Sequence, residues 1–479
     1  MKNQFVLILM LLLIKGASVS QWQPDVRLTN VPLGSVTSYT KCISSSGNDV
    51  HVTWMDLRTG NLEIFYKRSA DGGTTWGSDV RLTNNPVDSD YPAISASGQL
   101  VHIVWQDRRD TNIEVYYKRS TDGGVNWGAD VRLTANIYGS WNPSVASSGS
   151  DVIAAWYDSR DLNAEIYIKR STNGGLSWSA DTRITNNAAS SQFPSIFMEG
   201  SLVHLAWTDN RDGNPETYYK RSSDGGVTWG ADTRLSFNGS DSWYTSVSAS
   251  GQNVHVVWRD DRNVTKEIYY NGSTNGGITW GGFDTRITFN SVNSEHPSVS
   301  ASGSNVHLVY QNDQNTNLQI YYRKSTNAGS NWSGETRLTN TAYTSARPSA
   351  IVSGNVVHAV WHDSRNGGEN IYYKRDPSGN LVGVTGNGTG IPDDFSVSQN
   401  YPNPFNPVTK VNYQLPKTEY VNITLYDQLG REILQLFAGE RQAGFYELTV
   451  DGTNLASGLY FCTLKAGEHS GVIKMSLIK

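Results

Sequence analysis

The sequence predicts an all-β protein in which a seven-bladed β-propeller of four-stranded blades is followed by a small C-terminal β-sandwich. Three observations support this prediction. The 479 residues include 45 glycines and 15 tryptophans but only 17% charged residues, which excludes coiled coils, helical bundles and acidic disordered tails. A unit of about 51 residues recurs seven times. Residues 395–479 follow a different pattern.

The chain begins with a predicted secretory signal peptide, residues 1–20. Lys2 precedes an apolar run over 5–14, and small residues follow as far as Ser20, which is the order expected for export and cleavage. The apolar run is too short to span a bilayer and no later stretch is apolar enough. We therefore expect no transmembrane segment in the mature chain.

Charge and cysteine content exclude several kinds of partner. The formal net charge is -5 and lysines and arginines form no run, so the sequence has no electrostatic footprint for nucleic acid. No His/Cys cluster has the spacing of zinc ligands, and we expect neither a metal nor a cofactor. The two cysteines, Cys42 and Cys462, do not form the pattern of a disulfide framework. We expect a monomer.

Each propeller repeat is marked by a segment like Val-His-Val-Val-Trp. Its last position recurs every 51 or 52 residues and numbers blades 1 to 7, at Trp54, Trp105, Trp156, Trp207, Trp258, Tyr310 and Trp361. Around this position, Val, Ile, Tyr, Trp and Thr predict strands, and Gly, Asn, Asp and Ser separate them. Four short strands in each of seven repeats predict propeller blades.

The last blade lacks its own fourth strand. The seventh repeat ends at Arg375, and an Asp-Pro-Ser-Gly segment stands where the next turn belongs. Trp22 and Arg27 have the five-residue spacing that marks the fourth strand in the other repeats. We therefore expect residues 21–29 to complete blade 7, which hides an open sheet edge and closes the ring. The propeller then covers residues 21–375.

A repeated turn joins the third and fourth strands. It has the form Ser-x-Asp-Gly-Gly-x-x-Trp, with Asn for Asp in some copies and a degraded last copy, at 69–76, 120–127, 171–178, 222–229, 273–280 and 325–332. Asp or Asn can hydrogen-bond to the turn backbone, Gly accepts positive φ and Trp packs beneath. The turn resembles the Asp box, or BNR repeat, of sialidases and related propellers. It indicates a fold rather than a chemistry.

Residues 395–479 form a second predicted domain, after a Gly/Asn/Thr-rich linker over 376–394. Tyr-Pro-Asn-Pro-Phe-Asn-Pro occupies 401–407, Val-Asn-Ile-Thr-Leu-Tyr-Asp-Gln-Leu-Gly occupies 421–430, and Asn-Leu-Ala-Ser-Gly-Leu-Tyr-Phe occupies 454–461. In this order the motifs resemble the type A sorting domain of the type IX secretion system. Alternating apolar residues predict a small β-sandwich. The resemblance implies the type IX secretion machinery as a partner, and export to the cell surface or the medium.

Two polar sets recur in every blade or nearly so. The first follows the second strand, as Asp56, Arg58, Glu63; Asp107, Arg109, Glu114; Asp158, Arg160, Glu165; Asp209, Arg211, Glu216; Asp260, Arg262, Glu267; Asn312, Gln314, Gln319; and Asp363, Arg365. Because Arg can bond two carboxylates, the set is either a structural clamp or a ring of glycan sites.

The second set consists of His51, His102, His204, His255, His307 and His358. We expect these histidines to pack between blades with a hydrogen-bond partner rather than to bind metal.

The repeats differ most in the two residues just before the first-strand Pro. Those residues lead into the innermost strand, on the face opposite the Asp boxes, and should ring the mouth of the central channel. They give the predicted ligand-binding residues Tyr39, Asp90, Tyr91, Trp141, Phe193, Trp243, Tyr244, Glu295, His296 and Arg347. Aromatic faces suit sugar rings, and the polar groups would set orientation. The alternative is that these loops vary because loops tolerate variation.

The sequence favours an exported propeller that binds carbohydrate at this mouth, and it identifies no catalytic residue. A sialidase-like glycoside hydrolase is an alternative that the Asp boxes imply. However, sialidases have six blades and an Arg-Ile-Pro near the first one, whereas Tyr-Thr-Lys-Cys-Ile occupies 39–43 here. A polysaccharide lyase is a further alternative, in which Arg347 neutralises a uronate carboxylate and His296 or Tyr244 is the base.

Overall fold

The computed structural model describes residues 22–32, 34–282, 284–313, 317–379, 395–397, 400, 403–442 and 444–479, and all of its regular elements are β-strands. The described residues fall into two compact units, 22–379 and 395–479. The predicted signal peptide and most of the predicted linker lie outside these ranges. Within them, no helix has the length and apolar character needed to cross a membrane.

Seven antiparallel sheets form the predicted propeller, and each runs from an innermost first strand to an outer fourth strand. The first strands are Ser35–Val36 with Ile43–Ser46, then Ser89–Ser97, Ser140–Ser148, Ser191–Glu199, Ser242–Ser250, Ser294–Ser302 and Ser345–Ser353. The second strands are Asp49–Asp56, Leu100–Asp107, Asp151–Asp158, Leu202–Asp209, Asn253–Asp260, Asn305–Asn312 and Val356–Asp363. The third strands are Glu63–Ser69, Glu114–Ser120, Glu165–Ser171, Glu216–Ser222, Glu267–Ser273, Gln319–Ser325 and Asn370–Asp376. The fourth strands are Val80–Arg81, Val131–Arg132, Thr182–Arg183, Thr233–Arg234, Thr285–Arg286, Thr336–Arg337 and, from the N-terminal side, Val26–Arg27.

The ring closes as predicted, through the N-terminal strand. Val26–Arg27 pairs antiparallel with Asn370–Asp376, although the paired segment is shorter than the expected 21–29. The junction is reinforced by Asp25, whose carboxylate lies 2.6 Å from Arg365 Nη1 and 2.9 Å from Lys374 Nζ. Both ends of the propeller chain are therefore held in one sheet.

The repeated Asp and Glu side chains are parts of a structural clamp. In blade 2, Arg109 bonds Asp107 at 2.7 Å and Asp130 at 2.8 Å. Glu114 is bound instead by Arg132, at 2.9 Å. The predicted Arg bridge therefore joins two aspartates, and Glu has a separate partner. Because Asp107 and Glu114 are 0% exposed, they cannot contact a ligand, which removes the ring of glycan sites at these carboxylates.

Blade 6 has an uncharged version of the same clamp. Asn312 donates to Ser294 Oγ at 3.0 Å, and Gln319 accepts from Thr339 Oγ1 at 2.9 Å. Gln314 lies outside the described residues. Tyr310, in place of the blade Trp, donates a short hydrogen bond to Glu335. The replacements are therefore coordinated, so that blade 6 keeps its hydrogen bonds without the buried aspartate and glutamate.

The histidines pack between blades, each with a tyrosine partner. The Nδ1–hydroxyl pairs, 2.6–2.9 Å apart, are His51–Tyr66, His102–Tyr117, His204–Tyr219, His255–Tyr270, His307–Tyr322 and His358–Tyr373. In five of the pairs the tyrosine then reaches the Asp box of the next blade, whereas Tyr322 packs against Trp22 in blade 7. Tyr117 packs edge-on against Trp178 at 4.9 Å, and a Cβ on Gly175 would lie 1.8 Å from the Tyr117 hydroxyl. The second Asp-box glycine therefore leaves room for a side chain of the preceding blade.

We expect Gly175→Ala to destabilise the propeller more than Gly149→Ala does. Both glycines have positive φ, 79° and 58°, so each substitution costs about 1–2 kcal/mol of backbone strain. Only Gly175 has a neighbour in the way, because a Cβ at Gly149 meets nothing within 4 Å. Overpacking against Tyr117 should add about 1–3 kcal/mol. Urea unfolding of the two variants measures the difference, and equal losses would show that Tyr117 moves aside without cost.

The C-terminal unit is the predicted β-sandwich. One sheet contains Ser396–Val397, Val408–Leu415 and Gly444–Asp451, and the other contains Glu432–Arg441, Glu419–Asp427, Gly458–Ala466 and His469–Leu477. Alternate side chains from both sheets, including Val411, Ile423 and Leu464, form one buried core. Cys462 lies in this core and Cys42 in the propeller, and both thiols are free.

Candidate functional site

The mouth of the channel is built by a β-bulge that recurs at the same place. In blade 2, Tyr91 and Pro92 lie opposite a single residue of the second strand. The residue in the position of Tyr91 has a φ between 47° and 57° in six blades, at Tyr91, Asn142, Phe193, Tyr244, His296 and Arg347. Left-handed φ at non-glycine residues is strained, and such strain concentrates at ligand sites. The bulge therefore marks the predicted mouth residues independently of their variability.

Blade 1 departs from this pattern through a longer loop. Between Val36, which pairs with the second strand, and Cys42, whose carbonyl accepts from Thr53, there are five residues instead of two. The extra length carries Tyr39 over the mouth. Its ring lies 5.1 Å from His296 and 5.7 Å from both Tyr91 and Tyr244, centroid to centroid.

Arg347 completes the contacts of Tyr39. Its guanidinium carbon lies 4.0 Å from the Tyr39 ring centroid, and its Nη2 donates to the Tyr39 hydroxyl at 2.5 Å. No described Asp or Glu forms an ion pair with Arg347. The cation therefore faces the mouth with an aromatic partner and no counter-charge.

An aromatic row extends from the centre of the mouth across blades 5, 4 and 3. Phe193 lies 6.4 Å from Tyr244, 5.8 Å from Trp243 and 5.8 Å from Tyr157, between ring centroids. Tyr157 stacks in turn on Trp141 at 5.4 Å. All five rings are partly exposed. Together they form a continuous apolar surface, which we call the aromatic row.

The predicted carboxylates lie in ion pairs beside the mouth. Asp90 is 3.1 Å from Arg108 Nη2, and burial raises the pKa of Asp90. Glu295 is 2.7 Å from Lys266 Nζ and 3.6 Å from Arg259 Nη1. Neither carboxylate lies free at the centre of the mouth, because each forms an ion pair with a neighbouring cation.

The two histidines of the mouth are neutral near pH 7. Burial first, and the charge of Arg347 second, lower the pKa of His296 and of His362 to about 3. His362 Nδ1 lies 2.8 Å from Thr37 Oγ1, at the base of the blade 1 loop. His296 lies 4.1 Å from Tyr244, centroid to centroid. Imidazole here can accept a proton or a hydrogen bond, and it adds no positive charge.

The structure groups the ten predicted residues into three sets. Around the centre are Tyr39, Tyr91, Tyr244, His296 and Arg347; along the aromatic row are Trp141, Phe193 and Trp243 with Tyr244; in ion pairs are Asp90 and Glu295. Sequence reasoning missed Tyr157, Arg259 and His362. These residues follow the blade Trp directly, at a position that varies between copies as Met55, Gln106, Tyr157, Thr208, Arg259, Gln311 and His362. That variation was the signal that could have found them.

The profile of the BNR repeat-like domain matches residues 105–359, which is more than half of the chain. The chain belongs to the BNR repeat-like family. A second profile, for the secretion system C-terminal sorting domain, matches residues 399–479 of this BNR propeller protein. The sorting domain marks it for export by type IX secretion, to the cell surface or the medium.

Known proteins resemble the BNR propeller in sequence or in fold. A sialidase of Clostridium perfringens is 25% identical over 244 residues, which cover 43% of this chain and 59% of that relative, so the chain spans less than two thirds of its length. The polysaccharide lyase Uly1 has a TM-score of 0.50 at 9% identity, over 74% of this chain and 99% of that one. The phage phi92 endosialidase has a TM-score of 0.47 at 11% identity, over 78% and 72%. The structural likenesses concern the fold alone.

Proposed function

We propose that the exported propeller binds carbohydrate at the channel mouth, through the aromatic row. The observation that carries this proposal is the row itself: five rings from three neighbouring blades follow one another at 5.4–6.4 Å. Sugar rings present apolar C–H faces that pack on aromatic side chains, and a row of such rings suits several consecutive sugars. Charged groups at the border of the mouth then set the orientation.

The pairing of the mouth arginines favours binding over sialidase-type hydrolysis. The sialidase of Clostridium perfringens gives the hydrolase alternative its support. That chemistry needs three arginines converging on a substrate carboxylate, as the Asp-box resemblance implies. Here Arg108 and Arg259 already have carboxylate partners, at 3.1 Å and 2.9 Å, and among the described arginines of the mouth only Arg347 lacks one.

A second candidate activity is elimination on a uronate polymer, and one cluster favours it. Tyr39, Tyr244, His296 and Arg347 meet at the centre of the mouth. In this scheme Arg347 neutralises the uronate carboxylate and neutral His296 takes the proton from C5. The C4–O bond then breaks, and Tyr244 gives its proton to the leaving oxygen. The fold likeness to the polysaccharide lyase Uly1 agrees with this scheme.

One experiment separates the three activities. The full-length protein is incubated with a glycan panel that includes sialylated glycoconjugates and uronate polymers, and the products are analysed by mass spectrometry. We expect no product, together with saturable binding of at least one glycan on an array. Products that sum to one water more than the substrate would establish hydrolysis, and an unsaturated sugar would establish elimination. The proposal would be overturned if no glycan bound to the protein and no glycan gave a product.

A further inference from the structure

Beneath Tyr39 the channel contains a cavity with an unusual charge balance. Its volume is about 60 Å³, and residues at the start of the innermost strands of blades 1 and 3 to 7 line it. The lining includes two cations, Lys41 and Arg347, but no Asp or Glu. Since His296 in the same lining is neutral near pH 7, the cavity carries positive charge that nothing in its wall balances.

Lys41 is the residue that makes this cavity unlike the channel of a symmetrical ring. It occupies the position where blades 2 to 7 have Pro or Thr, namely Pro92, Pro143, Pro194, Thr245, Pro297 and Pro348. No described side chain forms an ion pair or hydrogen bond with its ammonium, and the nearest aromatic contact is the Phe197 ring at 5.9 Å. Burial lowers the pKa of Lys41 to about 8. Lys41 is half-buried, and an ammonium that has lost part of its hydration without a counter-charge is costly, so a bound anion would lower the free energy of the folded state.

Serine hydroxyls supply neutral donors around the same cavity. Their oxygens each accept the backbone N–H of the next blade at 3.1–3.3 Å, in Ser144, Ser195, Ser246, Ser298 and Ser349. A hydroxyl that accepts in this way still has its own proton to donate. None of these protons has an acceptor among the described residues. The wall therefore presents hydrogen-bond donors together with two cations.

We propose that this cavity is a binding site for a small anion, a halide or a carboxylate-sized oxyanion, held by Lys41, Arg347 and the serine hydroxyls. The volume sets the size of the ligand. One water requires roughly 10–15 Å³ on this measure, so about four water-sized groups fit and a sugar ring does not. The anion site lies below the surface proposed to bind glycan. It stands whether or not glycan binding is found.

The test measures the melting temperature of the full-length protein at constant ionic strength, with sodium bromide, chloride or acetate replacing gluconate. Wild type should gain about 2 °C for each tenfold increase in anion above its Kd. Lys41→Met keeps the side-chain length and removes the charge, so its melting temperature should not respond. Lys118→Met is the matched control, because Lys118 already pairs with Asp130 at 2.9 Å, and it should keep the full response.

Crystals grown in bromide locate the ion directly. We expect an anomalous peak within about 4 Å of Lys41 Nζ in wild type and none in Lys41→Met. Stabilisation by bromide and acetate alike identifies a free anion. Stabilisation by acetate but not by bromide or chloride identifies a carboxylate as the ligand, and either result supports the site. No response to any of these anions, or an equal response in Lys41→Met, would overturn it. Glycan binding is measured in parallel, and replacing gluconate by bromide, chloride or acetate should not change it. This separates the anion site from the proposed glycan site.

Discussion

Replacing Trp141 and Trp243 by alanine in one variant should weaken glycan binding on the order of a thousandfold. Both rings belong to the aromatic row: Trp141 stacks on Tyr157 at 5.4 Å, and Trp243 packs edge-to-face on Phe193 at 5.8 Å, centroid to centroid. A buried aromatic anchor at an interface contributes about 2 kcal/mol or more, and each 1.4 kcal/mol is roughly tenfold in affinity. Isothermal titration with a glycan that binds on the array measures the loss.

The control for this variant lies on the opposite face of the propeller. Leu176 and Ile278 are 69% and 67% exposed in Asp-box turns, so their replacement by alanine also removes two large exposed side chains. That double variant should bind glycan like wild type. Intact binding by Trp141→Ala, Trp243→Ala would mean that the aromatic row is not the glycan site.

The second large effect is a loss of propeller stability in mild acid. Burial lowers the pKa to about 4 for His51, His204 and His255 and to about 3 for His102 and His358. These histidines stay neutral in the folded protein, whereas in the unfolded chain they take up protons below pH 6.5. The unfolded state then binds more protons, so the free energy of unfolding falls as pH drops from 6.5 towards 4. At pH 5.5 the five histidines together should lower the free energy of unfolding by about 7 kcal/mol relative to its value well above pH 6.5.

Blade 3 supplies the matched variant for this prediction. It has Ile153 and Ile168 where the other blades have the His–Tyr pair, and Ile153 fills the same inter-blade space beside Gly226. Copying it as His102→Ile, Tyr117→Ile should lower the pH dependence by one proton, about 1.4 kcal/mol per pH unit below 6.5. Urea unfolding at pH 7.5, 6.5 and 5.5 measures the slope. A slope equal to that of wild type would exclude His102 as a source of the pH dependence.

The repeat made most of the fold predictable. The spacing of the blade Trp gave the number of blades, and the spacing of Trp22 and Arg27 gave the closing strand, because both report a period that seven sheets must share. The clamp was one of two interpretations left open, and the repeated set did not include Asp130, the second carboxylate that Arg109 bonds. Asp130 was missed because hairpin register, which decides which polar groups meet, cannot be derived from composition.

The arrangement of residues at the channel mouth was predictable in part, and their role as a ligand site stays a prediction. Variability between copies found the bulge residues, but alignment on the first-strand Pro concealed the longer loop of blade 1, where Lys41 replaces Pro. The central position of Tyr39 follows from that added length. Tyr157 and Arg259 come from the second strand, and they reach the mouth only because the antiparallel register places them opposite Trp141 and Trp243.

Because the N-terminal strand closes the ring, the propeller can be completed only after its last strand has been synthesised. Asp25 and Arg365, which clamp the closing sheet, are 340 residues apart. Bringing such distant segments together has a larger entropic cost than forming a hairpin, so the ring is completed only when its last strand is available. The sorting domain lies beyond that strand in the chain. A product truncated by a premature stop within the propeller keeps the N-terminal strand but lacks both its partner strand, Asn370–Asp376, and the sorting domain, so a chain that cannot close its ring also lacks the export address.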